Sequence, residues 1–92
     1  MISAKYTFRV DIETHDQTGD VLAVYFLVRK GKSHETKEFA NGRAFADYDK
    51  KGLLLGIELL GPCKISVVNQ ITTEAPARQF FKNTIPRQLI AA

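Results

Sequence analysis

The sequence has little cysteine: Cys63 is the only one among its 92 residues, so no disulfide can form within it. Small secreted domains commonly depend on several disulfides, and a lone thiol is more typical of a reducing compartment. The longest unbroken apolar run, Val21 to Val28, is far too short to span a bilayer. The chain also turns polar directly after Met1-Ile2, unlike a signal peptide. We therefore expect a cytoplasmic protein without a membrane partner.

Patterns that mark metal and cofactor sites are missing as well. His15 and His34 lack the spacing of a ligand pair, and with one thiol they do not supply the three or four ligands of a zinc site. The acidic residues do not show the alternating Asp or Asn ligands and the closing Glu of a calcium loop. Their positions are explained by turn formation or by pairing with a basic side chain. They are Asp16, Asp20, Asp47, Asp49 and Glu58. With no phosphate-cradling glycine loop or nucleophile elbow either, we predict no cofactor, no metal and no enzyme.

Two interpretations of Cys63 stay open. It follows Gly61-Pro62 and could stand at a helix N-terminus, where the pKa of a thiol falls and the thiol becomes more reactive. It could instead be a small buried hydrophobic residue, as free cysteine usually is. We favour the second interpretation, because no histidine lies near it in the sequence to act as a base.

The net charge of +3 is unevenly distributed. Residues 1–60 carry nine basic and nine acidic side chains, whereas residues 61–92 carry four basic side chains against Glu74 alone. Such a segment would attract an acidic partner, and its candidate interaction surface consists of Arg78, Lys82 and Arg87. The alternative, which we favour, is that these spaced charges are the solvated face of a helix.

Five segments have the apolar alternation or the β-branched and aromatic content of strands: 5–13, 21–28, 34–39, 43–48 and 53–60. One face of the first segment is apolar and should be buried: Tyr6, Phe8, Val10 and Ile12. The second segment is apolar on both faces, which predicts a central strand covered on both sides. The third, which contains Lys37, suits a sheet edge.

Two turns are predicted to close hairpins. Asn41-Gly42 suits the central positions of a type I′ turn, where both residues take positive φ. The second turn is Asp49 to Gly52, and a four-residue loop there sets the register of the flanking strands. One apolar face then pairs Tyr48–Leu53, Ala46–Leu55 and Ala44–Ile57. The other face pairs Asp47–Leu54, Phe45–Gly56 and Arg43–Glu58, the last with opposite charges.

The C-terminal part of the chain should cover the second of these faces, which would otherwise lie exposed. Residues 63–71 fit a strand by their β-branched content and a helix by the spacing of their apolar side chains, and we favour a short helix. Residues 73–82 predict a helix that is capped by Thr73 and has Pro76 in its first turn. The apolar stripe of this helix consists of Ala77, Phe80 and Phe81.

Together these elements predict an α+β fold. It is a small antiparallel sheet of about five strands, a meander of hairpins covered by a short helical C-terminal segment. Residues 1–92 would form a single domain, with a β-rich part over 1–60 and a basic, mainly helical tail over 61–92 packed on the sheet. The register of the first hairpin stays open.

The order of motifs in the middle of the chain resembles a known family. The motifs are His15-Asp16 with Gly19-Asp20-Val21-Leu22, Glu35 to Glu38, Asp47-Tyr48-Asp49 with Gly52, and Gly56 to Leu60. Over residues 15–60 the chain is similar to the small bacterial and archaeal proteins grouped as domain of unknown function 2283. The resemblance implies a compact β-rich fold and no assigned activity.

The residues favour a non-enzymatic protein-interaction module that self-associates as a homo-oligomer. Five strands offer two faces, and the tail is too short to cover both, so apolar surface is left for a second copy. A protein encoded nearby is a further candidate partner. The alternative function is nucleic-acid or small-ligand binding through the basic C-terminal segment, since aromatic strands and basic residues can hold such ligands.

Overall fold

The structure, a computed structural model, describes residues 5–90. Five strands form one antiparallel sheet, and a C-terminal helical layer packs on it, which confirms the predicted α+β fold class. The strands are β1 Arg9–Thr14, β2 Val21–Leu27, β3 Glu35–Phe39, β4 Ala44–Tyr48 and β5 Leu54–Leu60. The helices are α1 Val67–Ile71 and α2 Ala75–Thr84, with single 3₁₀ turns at Ala40–Gly42 and Arg87–Leu89.

The strand order is β1-β2-β5-β4-β3, which differs from a continuous meander. The last three strands are joined as consecutive hairpins, but β5 returns beside β2, so residues 28–34 carry the chain across to the far edge. The middle strand is therefore β5 and not, as predicted, the segment 21–28. β2 has the more apolar sequence, but only three of its residues are buried, against all but two in β5, so the apolar content of a strand does not decide its place in the sheet.

The helical layer covers one face of the sheet and forms the core with it. The sheet contributes Val24, Phe26, Val28, Ala44, Ala46, Ile57 and Leu59 to this core. The layer contributes Val67, Val68, Ile71, Ala77, Phe81 and Leu89. The Phe26 ring meets Phe80 and Phe81 edge-on, with centroid distances of 5.8 and 5.2 Å. The predicted apolar stripe of α2 is thus confirmed, and burying each large side chain stabilises the fold by about 1.5–3 kcal/mol.

The short helix that we favoured for residues 63–71 is confirmed over Val67–Ile71, and none of the five strands includes this segment. Cys63 forms an isolated β-bridge with Ile90, and α1 begins four residues later at Val67. The predicted cap of α2 is wrong: Glu74 occupies the N-cap position, and its N–H donates to the Thr72 hydroxyl at 3.1 Å. The placement of Pro76 in the first turn of α2 is confirmed.

Strand β1 is less buried than its alternation predicts. It begins only at Arg9, and the Ile12 side chain is 51% exposed. Phe8, which precedes the strand, is also exposed, although its ring stacks on Phe80 at 4.5 Å. The reason is that β1 is an edge strand, so the helical layer packs mainly on the inner strands and leaves part of the β1 edge uncovered.

Both predicted hairpin turns are confirmed. Asn41 and Gly42 have φ values of 53° and 85°, and the Arg43 N–H donates to the Ala40 carbonyl at 3.1 Å, as in a type I′ turn. In the second turn the Asp49 carboxylate accepts hydrogen bonds from two backbone N–H groups, those of Lys51 and Leu53, both at 2.9 Å.

The predicted register between β4 and β5 is wrong by two residues. Ala46 lies opposite Ile57, because the pairing is interrupted by a bulge at Asp47/Tyr48 and the connecting loop is longer than four residues. A shift of two keeps the side chains from Gly56 to Leu60 on their predicted faces, but the bulge moves Leu54 from the predicted second face into the core, opposite Tyr48. The tail, however, covers the face of Ala46 and Ile57 rather than the second face, because Glu58 on that second face would have to be buried without a partner.

Candidate interaction surface

One face of the sheet has no helix packed on it within residues 5–90, and we call it the open face. The strand registers assign its side chains: Arg9, Asp11, Glu13, Ala23, Tyr25, Leu27, Thr36, Glu38, Phe45, Asp47, Gly56, Glu58 and Leu60. Glu58 is the clearest indicator, since it is exposed although it lies in the middle strand, between the buried residues Ile57 and Leu59. The side chains of Ile57 and Leu59 point into the core, so the exposure of Glu58 shows that the opposite side of β5 faces solvent.

The open face is acidic. It carries five carboxylates against one cation, Arg9, whose guanidinium lies 3.4 Å from the Asp11 carboxylate. The carboxylates belong to Asp11, Glu13, Glu38, Asp47 and Glu58. The predicted pairing of Arg43 with Glu58 is wrong, because Phe45 lies opposite Glu58 and Arg43 donates to the Gly61 carbonyl at 3.2 Å. The whole chain nevertheless has a net charge of +3, so most of its basic side chains must lie on surfaces other than the open face.

Tyr25 lies at the centre of the open face. Its ring extends over Gly56, where any Cβ would collide with the Tyr25 hydroxyl. Burial raises the pKa of Tyr25, the negative charge of Asp47 raises it further, and Arg9 opposes the shift. The phenol is therefore protonated at neutral pH and offers an apolar ring together with one hydrogen-bonding group.

Two shallow hollows flank Tyr25. One has a volume of about 220 Å³ and includes Asp11 and Glu58 in its wall. The other, of about 350 Å³, is lined by Thr36, Phe45 and Asp47 as well as by Glu58. An aromatic centre with a charged surround resembles a protein-docking surface more than an enclosed small-molecule pocket.

The three basic residues proposed as an interaction surface have different environments. The Arg78 guanidinium is half-buried and donates to the carbonyls of Thr72 at 2.6 Å and Asn69 at 3.1 Å, so it caps the end of α1. Lys82, one turn further along α2, and Arg87 in the following 3₁₀ turn are exposed. The structure therefore leaves Lys82 and Arg87 accessible to a partner and gives Arg78 a structural role.

A buried polar cluster was not predicted from the sequence. Arg29 is 5% exposed, and its guanidinium binds both carboxylate oxygens of Glu74, with Nη2–Oε1 at 2.6 Å and Nη1–Oε2 at 3.3 Å. The Tyr6 hydroxyl donates to the same Oε1 at 2.9 Å, and the Leu54 carbonyl accepts from Nη1. The guanidinium carbon lies 5.1 Å from the centre of the Tyr6 ring. The cluster joins the chain before β1, the end of β2 and the start of α2.

Cys63 has the buried environment that we favoured. Its side chain belongs to the core, and burial raises the pKa of the thiol, although the nearby charge of Arg43 acts in the opposite direction. A thiol in this state is a poor nucleophile. Among residues 5–90, no three histidine, cysteine or carboxylate side chains come together as metal ligands would.

Comparisons of the chain with protein-family models, curated proteins and solved structures found no match. The resemblance to domain of unknown function 2283 therefore stays a prediction. Neither of the α-helices in the described part of the chain is long and apolar enough to cross a membrane.

Proposed function

We propose that this chain is a non-enzymatic protein-interaction module that self-associates through its open face. One observation carries the proposal: among residues 5–90 the five-stranded sheet has a helical layer on one side only, and half-buried apolar side chains lie on the other side. They are Tyr25, Leu27, Phe45 and Leu60. Half-buried apolar side chains that no other element covers are typical of docking sites.

The edges of the sheet are less suitable for association than the open face. Both edge strands carry several charged residues: Arg9, Asp11 and Glu13 on β1, and Glu35, Lys37 and Glu38 on β3. Charged edge strands disfavour pairing with the edge of another sheet. The module would act in the cytoplasm, since its single thiol is buried and needs no oxidising compartment.

Light scattering at micromolar concentration tests self-association directly. We expect the mass of a dimer or a larger species, and its fraction should rise with protein concentration. Substituting Tyr25→Glu at the centre of the open face should shift the distribution toward the monomer. The control Lys51→Glu, in an exposed turn, should not. A wild-type chain that stays monomeric over the whole concentration range would contradict the proposed function.

Nucleic-acid or small-ligand binding through the basic segment is the second candidate. Lys82 and Arg87 support it, since both are exposed and neither forms an ion pair with a residue in the range 5–90. Two exposed cations predict weak binding to mixed DNA or RNA that decreases only modestly as the salt concentration rises, since the salt dependence grows with the number of phosphate contacts. Replacing Lys82 and Arg87 by alanine should abolish it, and unchanged binding after both substitutions would exclude this surface.

A further inference from the structure

Each copy of the chain has an acidic surface and a basic surface on opposite sides. The open face carries five carboxylates against Arg9 alone. The helical layer on the other side of the sheet carries the net positive charge of residues 61–92. Its one acidic residue, Glu74, is already bound to Arg29, whereas Lys82 and Arg87 are exposed.

This distribution disfavours a symmetric dimer that joins two open faces. A two-fold axis through the face would bring two sets of five carboxylates together and cover both copies of Glu58. Like charges that are pressed together and desolvated cost several kcal/mol at an interface. The surface with the complementary charge is the helical layer, where Lys82 and Arg87 lie.

Building on the proposed self-association, we infer that the occupant of the open face is the basic helical layer of a second copy. Glu58 and Asp47 of one copy then face Lys82 and Arg87 of the next, and Tyr25 packs at the centre of the contact. Such a contact is heterologous, so a pair of copies keeps one unused open face and one unused basic layer. Assembly therefore continues beyond two copies, into a ring or a chain, and weakens as salt screens the charges.

Matched charge-neutralising variants test this arrangement. The face variant is Asp47→Asn with Glu58→Gln, and the tail variant is Lys82→Gln with Arg87→Gln. Each should weaken self-association by at least about tenfold, and the wild type should weaken similarly between about 0.01 M and about 1 M salt. Two controls make the same changes in net charge at exposed positions outside the proposed contact, and they should associate as the wild type does: Asp16→Asn with Glu35→Gln, and Lys50→Gln with Lys51→Gln.

A mixture of the two variants gives the sharpest result. The tail variant keeps an intact acidic face and the face variant keeps an intact basic layer, so one good contact can form and no further growth is possible. Light scattering of the equimolar mixture should therefore give the mass of two copies at a concentration where each variant alone is a monomer and the wild type is larger. If both variants associate like the wild type, the head-to-tail arrangement is wrong while self-association stands. If the wild type is itself a monomer at low salt, both proposals fail.

Discussion

The guanidinium of Arg29 and the carboxylate of Glu74 form an ion pair across 45 residues of sequence, with Nη2 and Oε1 2.6 Å apart. The arginine side chain is 5% exposed and the glutamate side chain 27% exposed. A charge this deeply buried is tolerated only with a partner, so Glu74 fixes the start of α2 over the end of β2.

Substituting Glu74→Gln should destabilise the fold, because the Arg29 charge stays buried while its counter-charge is lost. We expect the free energy of unfolding to fall by about 2–3 kcal/mol, measured by urea denaturation at neutral pH. The control Glu13→Gln removes an exposed carboxylate and should change stability by less than about 0.5 kcal/mol. Equal effects of the two substitutions would contradict a stabilising role for the pair.

The same carboxylate should make stability depend on pH. Burial alone would raise the pKa of Glu74, but the hydrogen bonds from Arg29 and Tyr6 and the charge of Arg29 outweigh it, so the pKa lies below its ordinary value of 4.5. The unfolded chain then takes up the proton first, and stability is lost as the pH falls below about 5 and through the folded-state pKa. Denaturation at a series of pH values should show a steeper acid loss for the wild type than for Glu74→Gln, and parallel curves would refute this assignment.

The hairpin between β3 and β4 should depend on Gly42. A β-branched residue resists the φ of 85° found there, although a Cβ would meet nothing closer than the Glu38 carboxylate at 3.7 Å. Gly42→Val should therefore lower the free energy of unfolding by about 1–2 kcal/mol through backbone strain. Gly42→Asn is the matched control, since asparagine tolerates positive φ and should cost less. Equal melting temperatures for the two variants would argue against the type I′ turn.

The contact between the helical layer and the sheet should depend on Phe81, which is fully buried against Phe26. Phe81→Ala leaves a cavity between α2 and the sheet, and we expect a loss of about 3–5 kcal/mol, enough to unfold much of a small domain. Gln79→Ala on the exposed side of α2 is the control and should be close to neutral. Thermal denaturation compares them, and a small effect at Phe81 would contradict the observed docking of α2.

Local signals in the sequence predicted much of the fold. Asn41-Gly42 indicated its turn through backbone preference alone, and the spacing of Ala77 and Phe81 indicated which side of α2 is buried. Strand order and register were not predictable in this way, because they depend on packing between distant segments. The longer connecting loop and the bulge at Asp47/Tyr48 together shift the register by two residues, and the bulge leaves no pattern in either strand.

The candidate surface was predictable only in part. Asp47 and Glu58 were correctly placed on one face, and those two charges already indicated that the face should stay in water. The need to cover the apolar residues of this face led instead to the prediction that the tail packs on it. Arg43 was also predicted to neutralise Glu58, but in the observed register Arg43 does not lie opposite Glu58. The Arg29–Glu74 pair left no signal, since its members lie far apart in sequence and each looks like an ordinary surface charge.

Carboxyl labelling at low and high protein concentration tests most directly whether the open face is the interaction surface. A carbodiimide-coupled amine modifies accessible carboxylates, and mass spectrometry reads the extent at each position. We predict that labelling of Asp47 and Glu58 falls as the protein associates, while labelling of Asp16, exposed outside the sheet, stays constant. Association without any protection of Asp47 and Glu58 would contradict the account, as would the absence of association.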